Sequence, residues 1–324
     1  MTIRANNLRF SVLLAALLAV TGCSANFYAR KTMELQAAQD LYAAGDYINA
    51  AAGFDRIIAT HPGAAVEARA YLGLGLSYER MNDYGDALIN YRIAVQLYPK
   101  DISLMLSLAS LYDRLKLFSQ ALEVYNKALD KDGDNLRANV GIAKTYMSLG
   151  YLGLAAQHYE AALENEENPD LRIRMAYIEC LYRQRRYQEA EDAMAKALPL
   201  GQANAALWLL LAEIQYDRGF RNRAIDSIRR ASEISGGRLD IEVRRALWLS
   251  TDGSLDDALA LARRLRVEYP NDPLVCWTLG MVLLKADKPE EAGRYMKEAA
   301  SYDARTFISS SAKKIIGYIA DAKK

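Results

Sequence analysis

The chain has 324 residues, more than a single hydrophobic core normally holds, so several domains or an elongated repeat architecture is expected. Hydrophobic residues make up 52% and charged residues 25%, with only seven prolines, which is typical of a folded protein. Lysine and arginine number 41 against 40 acids, so the chain as a whole lacks the basic excess that nucleic-acid binding normally requires. We therefore expect no nucleic-acid partner, although a local basic patch remains an alternative.

The first predicted element is an export signal. Residues 1–9 contain two arginines and no acid, and residues 10–20 form an apolar run interrupted only by Ser11. A membrane-spanning helix needs about 20 apolar residues, and this run is too short. A basic start, a short apolar run and a small-residue end are typical of a signal that is removed after export.

The apolar run ends at Val20-Thr21-Gly22-Cys23, which resembles the lipobox of bacterial lipoproteins. The resemblance implies diacylglycerol on the Cys23 sulfur, cleavage before this residue, and acylation of the new amino terminus by a fatty acid such as palmitate. Ser24 follows in place of the aspartate that tends to retain such proteins in the inner membrane. We therefore expect residues 1–22 to be a lipoprotein signal peptide and residues 23–30 a lipidated tether. In a Gram-negative cell this predicts an outer-membrane anchor facing the periplasm. An ordinary cleaved signal with an incidental cysteine is the alternative.

Residues 31–304 repeat one pattern. An anchor alanine recurs with steps of 37, 34, 34, 35, 34, 34 and 34 residues, at Ala50, Ala87, Ala121, Ala155, Ala190, Ala224, Ala258 and Ala292. The second repeat shows the whole pattern: Tyr71, Leu74, Gly75, Tyr78, Ala87, Tyr91, Ala94 and Pro99. Small residues at the alanine positions let neighbouring helices approach closely, while the large aromatic fills the space beside them.

This 34-residue pattern resembles the tetratricopeptide repeat (TPR). The resemblance implies an all-α fold, a right-handed TPR α-solenoid of about eight helix-turn-helix repeats. The first helix of each repeat (helix A) is predicted to start after a capping residue at Asp101, Asn135, Asp170, Asn204 and Asp272. The seventh repeat departs from the pattern, because Arg245 and Leu249 stand where apolar and aromatic residues are usual.

Residues 305–324 do not repeat, and their apolar residues fall largely on one helical face. A solenoid needs a final element to cover its last repeat, so this segment is predicted to be a C-terminal capping helix. A helix on a membrane surface is the alternative, because lysines flank the apolar face.

The cysteines and histidines other than Cys23 do not indicate a catalytic function. Cys180 and Cys276 lie 96 residues apart in helix-A segments and are predicted to be core residues. His61 and His158 are isolated from other catalytic residue types and are predicted to have surface or packing roles. No two cysteines or histidines have a metal-ligand spacing, and no phosphate loop or hydrolase motif appears. We expect no enzyme activity, cofactor, metal site or small-molecule substrate.

Helix A lines the concave groove in the TPR family, chiefly with repeat positions 2, 5, 9 and 12. Carried over by register, the candidate partner-binding residues are Arg69, Leu72, Leu76, Leu106, Ser110, Arg137, Val140, Lys144, Arg172, Met175, Glu179 and Tyr182. An apolar floor with arginines along one edge suits an extended or helical peptide that carries acidic groups. The alternative is that these residues form only a solvated helix face.

These features together predict a membrane-anchored periplasmic TPR scaffold that binds envelope proteins or peptide segments through its groove. The first two repeats resemble those of the TPR lipoprotein of the β-barrel assembly machine. The layout also resembles pilus-assembly lipoproteins, of type IV and tight-adherence pili, and lipoproteins that hold peptidoglycan enzymes near their substrate. Assembly of a pilus, an outer-membrane complex or a cell-wall complex therefore stays open. The alternatives are an unanchored secreted TPR protein-binding module and an accessory subunit of an envelope enzyme.

Overall fold

The computed structural model describes residues 27–164, 170–252, 254–302 and 306–321. Within these ranges the chain forms seventeen α-helices, one short 3₁₀ helix and no strand. The helices are α1 (27–43), α2 (Tyr47–Ile58), α3 (Ala64–Arg80), α4 (Tyr84–Leu97), α5 (Ile102–Arg114), α6 (Phe118–Leu129), α7 (Leu136–Leu149), α8 (Leu152–Glu164), α9 (Leu171–Arg183), α10 (Tyr187–Ala197), α11 (Ala205–Asp217), α12 (Arg221–Ser235), α13 (Leu239–Thr251), α14 (Leu255–Glu268), α15 (Pro273–Lys285), α16 (Pro289–Ser301) and α17 (Phe307–Asp321).

Helices α1 to α16 form eight consecutive pairs, each an odd-numbered helix A followed by an even-numbered helix B, and α17 comes after them. The predicted all-α fold, with about eight helix-turn-helix repeats and a C-terminal helix, is confirmed. The chain divides into two compact units, Met1–Glu167 and Asn168–Lys324. The described helices of the first unit are α1 to α8, and those of the second are α9 to α17.

The amino-terminal predictions fall largely outside the described residues. The signal peptide at 1–22 and the lipidation residue Cys23 both lie there. Helix α1 already includes residues 27–30, which the sequence analysis assigned to the tether. The Arg30–Glu34 ion pair and the hydrogen bond from Thr32 Oγ1 to the carbonyl of Tyr28 both support this first turn.

Side-chain caps start the helices where the sequence predicts them. All five predicted residues, Asp101, Asn135, Asp170, Asn204 and Asp272, accept a backbone N–H from the first turn of the helix that follows. Asp46 and Asp83 do the same for helix B of the first two repeats. Each cap satisfies one of the free N–H groups at a helix start and stabilises the helix by about 1 kcal/mol.

The turn from helix A to helix B requires a left-handed backbone at one repeated position. Glycine supplies it at Gly45, Gly150 and Gly219, with φ of 85°, 81° and 84°. Lys116 and Arg185 adopt the same conformation with φ of 59° and 60°, although side chains disfavour it. The hairpins of the third and fifth repeats therefore keep this turn although the sequence lacks glycine there.

The buried aromatic of helix B holds neighbouring repeats together in the first unit. Phe54 and Tyr125 are 1% and 5% exposed. Each ring lies over a glycine of the next helix A, Gly73 and Gly141 respectively, and a Cβ atom there would come within 2.3 Å of the ring. The absence of a side chain on helix A thus creates the space that the aromatic ring fills.

A buried ion-pair network replaces apolar packing in the seventh repeat. Glu242 is 2% exposed and occupies the position that Trp208 takes one repeat earlier. Arg245 Nη1 lies 3.2 Å from both Glu242 carboxylate oxygens, Arg264 Nη2 lies 3.5 Å from one of them, and the Ser232 hydroxyl donates to the other. A buried carboxylate is tolerated only when it is paired in this way. Arg245, which departs from the repeat pattern, is therefore the ion-pair partner of the buried Glu242.

Helix α17 packs against the last repeat. Ala312 is fully buried in a cluster with Cys276, Met296 and Ala299, and Ser309 Oγ donates to the carbonyl of Ala300 at 3.0 Å. The capping role predicted for the segment is consistent with these contacts.

The prediction that Cys180 and Cys276 are core residues is confirmed, because both side chains are fully buried. Burial raises the pKa of each thiol to about 11. Both cysteines are therefore poor nucleophiles at neutral pH.

Gly141→Ala tests the contact between helix B and the next helix A. The added methyl group meets the Tyr125 ring, so overpacking outweighs the better helix propensity of alanine, with a net loss of about 2 kcal/mol. Gly85→Ala is the matched control in the same unit, because only Asp83 Oδ1 lies within 4 Å of its Cβ position, at 3.8 Å. The control should be neutral or slightly stabilising in urea unfolding. Equal effects of the two substitutions would contradict the packing argument.

Candidate functional site

A cleft of about 340 Å³ crosses the helix-A faces of the first three repeats. Three of the predicted groove residues, Arg69, Leu72 and Leu76 of α3, line it together. Arg69 is exposed, whereas the two leucines are half-buried and form an apolar floor. The remaining described lining side chains come from α1, α2, α3 and α5 and include Gln39, Tyr42, Asp101 and Ser103.

Sequence reasoning missed Gln39 and Tyr42 on α1. The first repeat step is 37 residues, so Gln39 and Tyr42 occupy the helix-A positions of Leu76 and Glu79. Applying this longer step to the groove positions would have found them. Burial raises the pKa of the Tyr42 hydroxyl, so it is a neutral hydrogen-bonding group at physiological pH.

The other predicted residues of the first unit differ in accessibility. Leu106 is 4% exposed and packs in the core with Met105 and Ala109, so it offers almost no surface to a partner. Ser110 of α5 is exposed, as are Arg137 and Lys144 of α7, while Val140 of α7 is half-buried. Of the apolar floor predicted from position 5, Leu72 and Val140 are therefore accessible and Leu106 is not.

The acidic residues at position 12 are engaged by side chains of their own repeat and of the next one. Tyr91 Oη donates to Glu79 Oε2 at 2.7 Å, and Arg114 Nη1 pairs with Glu79 Oε1 at 3.0 Å. Burial and the bond to Glu79 raise the pKa of the Tyr91 hydroxyl far above its ordinary value. This tyrosine therefore stays protonated and keeps donating to the carboxylate.

Asp113 occupies the same position one repeat later and is also half-buried. Thr145 Oγ1 donates to Asp113 Oδ1 at 2.7 Å, and Tyr125 Oη lies 3.5 Å from Oδ2. Burial raises the pKa of Asp113, while the two hydrogen bonds act in the opposite direction. The carboxylate thus links helix A of one repeat, its helix B and the next helix A.

The bases along the groove of the first unit are not neutralised in the same way. Arg69, Arg137 and Lys144 are exposed and form no ion pair with any residue that the structure describes. Three positive charges therefore stand beside an apolar floor, where they favour a partner with acidic side chains.

The predicted residues of the second unit lie on α9, and its three polar members form ion pairs or hydrogen bonds within the protein. Arg172 Nη2 lies 2.6 Å from Asp170 Oδ2, Glu179 pairs loosely with Arg183 at 3.8 Å, and Tyr182 Oη donates to Asp217 Oδ2 at 2.8 Å. Burial raises the pKa of Tyr182 to about 12. Met175 is half-buried. The exposed bases without an ion-pair partner in the predicted set thus all belong to the first unit.

The described residues hold no metal-ligand cluster and no membrane-spanning helix, and His158 has a packing role. No cluster of three metal-ligating side chains occurs there, and no helix in that part of the chain is long and apolar enough to cross a membrane. His158 is half-buried, stacks on Tyr146, and its Nδ1 lies 2.9 Å from Asn139 Oδ1, in agreement with the predicted packing role. Burial lowers the pKa of His158.

Comparison with known families finds a match to the tetratricopeptide repeat model at residues 35–102, 72–136, 106–172 and 140–205. These ranges together span residues 35–205, just over half of the chain. Among curated proteins, tetratricopeptide repeat protein 8 of Caenorhabditis elegans is 21% identical over 189 residues. This match covers 58% of the present chain but only 37% of that relative.

Solved structures of low sequence identity share the fold. A tetratricopeptide repeat protein from Parabacteroides merdae has a TM-score of 0.52 and 18% identity, and the match covers 90% of this chain and 98% of that one. The C-terminal part of a TPR repeat-containing protein from Cytophaga hutchinsonii has a TM-score of 0.57 and 14% identity, covering 86% and 98%. The protein pilF of Pseudomonas aeruginosa has a TM-score of 0.54 and 19% identity, covering 68% and 97%.

Asp113→Asn should change how the stability of the first unit depends on pH. The folded pKa lies above the ordinary value of 3.8, so the folded state binds the proton more tightly, and stability falls as the pH rises through the folded pKa. The variant lacks this loss, so its stability relative to the wild type should increase between pH 4 and pH 7. Urea midpoints measure the difference, with exposed Asp134→Asn as control. A flat trend would show that Asp113 titrates as in the unfolded chain, and an opposite trend would show that folding lowers its pKa.

Proposed function

The chain belongs to the tetratricopeptide repeat family, and from this premise we propose that it is a lipid-anchored scaffold on the periplasmic side of the outer membrane, binding envelope proteins through the groove of its first unit. The TPR fold itself suits protein–protein interaction. The anchor, the compartment and the class of partner are the additional parts of the proposal.

The observation that carries the binding role is the cleft across α1, α3 and α5. The groove positions of the TPR family, carried over by register, predicted that Arg69, Leu72 and Leu76 share a partner surface, and all three line the cleft of about 340 Å³. Half-buried leucines supply apolar area, and the arginine supplies a donor at the edge. A peptide segment with an apolar side chain between acidic residues fits this arrangement.

The anchor is supported by the sequence around Cys23. The basic start, the short apolar run and the lipobox-like ending all favour acylation. Several acyl chains hold a protein on a bilayer stably, because each buried CH₂ contributes about 0.8 kcal/mol. An anchored scaffold without catalytic activity agrees with the lack of a catalytic motif in the sequence. Recruitment of pilus, outer-membrane or cell-wall components is the role that such an anchor would serve.

Charge reversal at Arg137 and Lys144 tests partner binding. Crosslinking in the native host, followed by identification of the captured proteins, should yield envelope components with the wild type. Arg137→Glu with Lys144→Glu should reduce that capture about tenfold or more, because each reversal replaces attraction to an acidic partner by repulsion. Both side chains are exposed, so the helical fold should persist by circular dichroism.

Arg92→Glu with Lys131→Glu is the matched control, because both residues are exposed and lie outside helix A. It makes the same change in net charge and should leave capture intact. Unchanged capture by the Arg137 and Lys144 variant, or equal loss by both variants, would rule out Arg137 and Lys144 as partner-binding residues; they lie on α7 and do not line the cleft of about 340 Å³.

Cys23→Ala tests the anchor. Without the thiol no diacylglycerol can be attached, so the variant should remain unprocessed or become soluble, whereas the wild type should fractionate with the outer membrane and carry acyl chains by mass spectrometry. Cys180→Ala is the control, because that buried thiol has no role in anchoring. If the Cys23 variant fractionates with the outer membrane as the wild type does, lipid anchoring at this residue is wrong.

A further inference from the structure

A second cleft, of about 440 Å³, lies on the first helical pair. Its floor is formed by small or buried residues of α1 and α2, including Ala38, Gly53 and Ile57. Gly53 allows the two helices to approach closely, because a Cβ atom there would lie 3.0 Å from the Ala38 Cβ. This cleft differs from the groove described above, since its described lining comes only from α1, α2 and the residue Thr60 that follows α2.

Basic side chains gather at one end of this cleft. Arg30 and Lys31 lie in the first turns of α1, and Arg56 lies in the last turn of α2. The start of α1 is beside the end of α2 because the two helices form an antiparallel hairpin, so all three bases line one cleft. Glu34 neutralises part of this charge, with Lys31 Nζ at 2.6 Å and Arg30 Nε at 3.0 Å. Arg56 is exposed and forms no ion pair within the described part of the chain.

Exposed aromatic residues stand at the same end of α1. Phe27 is 41% exposed and Tyr28 is 51% exposed, and their ring centroids lie 6.0 Å apart in an edge-on arrangement. Aromatic side chains with exposed bases beside them are typical of protein surfaces that contact the headgroup region of a membrane. Asp40 and Asp46 lie towards the turn at the opposite end of the hairpin, while Glu34 and Asp55 are the acids nearer its basic end.

We propose that the cleft between α1 and α2 binds the headgroup of an anionic phospholipid in the membrane that carries the chain. The phosphate lies against the exposed Arg30 and Arg56, and the glycerol region lies over the apolar floor, while Lys31 is buried and stays paired with Glu34. The choice of a bilayer lipid rests on the proposed anchor at Cys23. Only four residue steps separate Cys23 from residue 27, where helix α1 is already formed, which is at most about 14 Å of extended chain. The basic end of the cleft is therefore held within reach of the headgroups.

The test places the chain on vesicles independently of cellular acylation. A chain that begins at Cys23 retains every residue that the structure describes, and its only other cysteines, Cys180 and Cys276, are fully buried. Cys23 is coupled to a maleimide lipid in vesicles of phosphatidylcholine alone or with 30% phosphatidylglycerol, a composition of about physiological charge density. Amide hydrogen exchange of residues 27–34 and 53–60 is then compared between the two vesicles.

Exchange of both segments should slow on the phosphatidylglycerol vesicles, and high salt should remove the difference. Arg30→Gln with Arg56→Gln should weaken docking about thirtyfold, which abolishes the protection. Arg92→Gln with Lys131→Gln makes the same change in net charge at exposed positions outside the cleft and should keep the protection. Circular dichroism checks that each variant retains its helices.

Three outcomes would overturn the proposal. The first is equal exchange on both vesicles, and the second is equal loss of protection in both double variants. The third is that soluble glycerophosphoglycerol protects the segments without any vesicle, which would indicate a site for a free phosphate diester. Because the maleimide supplies the attachment, these outcomes are separate from failure of the Cys23 anchor, which fractionation of the Cys23→Ala variant reports.

Discussion

The close approach of an aromatic ring on helix B to a glycine on the next helix A is the contact on which the first unit depends. Phe54 fills the space over Gly73, and Tyr125 fills the space over Gly141. The same contact recurs two repeats later, so α3 and α7 turn the same face towards the helix B that precedes each of them. Residues at equal repeat positions then lie side by side in space. The cleft across α1, α3 and α5 follows from this regularity, since its lining comes from equivalent faces of three helices.

Tyrosines of helix B also affect the charge of the groove. Tyr91 donates to Glu79, and Asp113 accepts from Thr145 with Tyr125 nearby, so the position-12 acids serve the packing of the repeats. Their negative charge is partly buried and compensated within the protein. The exposed bases of neighbouring positions form no ion pair among the described residues, although the charge of Lys144 acts to lower the pKa of Asp113. A chain with almost balanced acids and bases can therefore present a basic groove, because its acids and bases differ in how far they are engaged internally.

The 34-residue period predicted most of the fold, because the anchor alanines and the capping residues can be read directly from the sequence. How deeply each groove residue is buried was harder to predict. Leu106 and Leu72 share a repeat position, yet Leu106 is buried, since accessibility depends on the neighbouring side chains as well as on the register. The network around Glu242 escaped notice for a related reason: a consensus pattern marks a charge as a departure and does not show that Arg245 lies within reach of it. Packing partners from other repeats decide both cases.

Helix α1 contributes to both of the clefts described above, with Gln39 and Tyr42 in the groove and Ala38 in the cleft that α1 forms with α2. A helix is rigid over this length. A contact that holds one face of α1 therefore also determines where its groove-lining face points. An acyl tether by itself limits the distance of the first repeat from the bilayer but leaves the protein free to rotate. A headgroup bound between α1 and α2 would remove that freedom at the helix where the groove begins. Anchoring and headgroup binding would then have different effects: the first concentrates the scaffold at the membrane, and the second orients its groove for partners that are themselves held in the envelope.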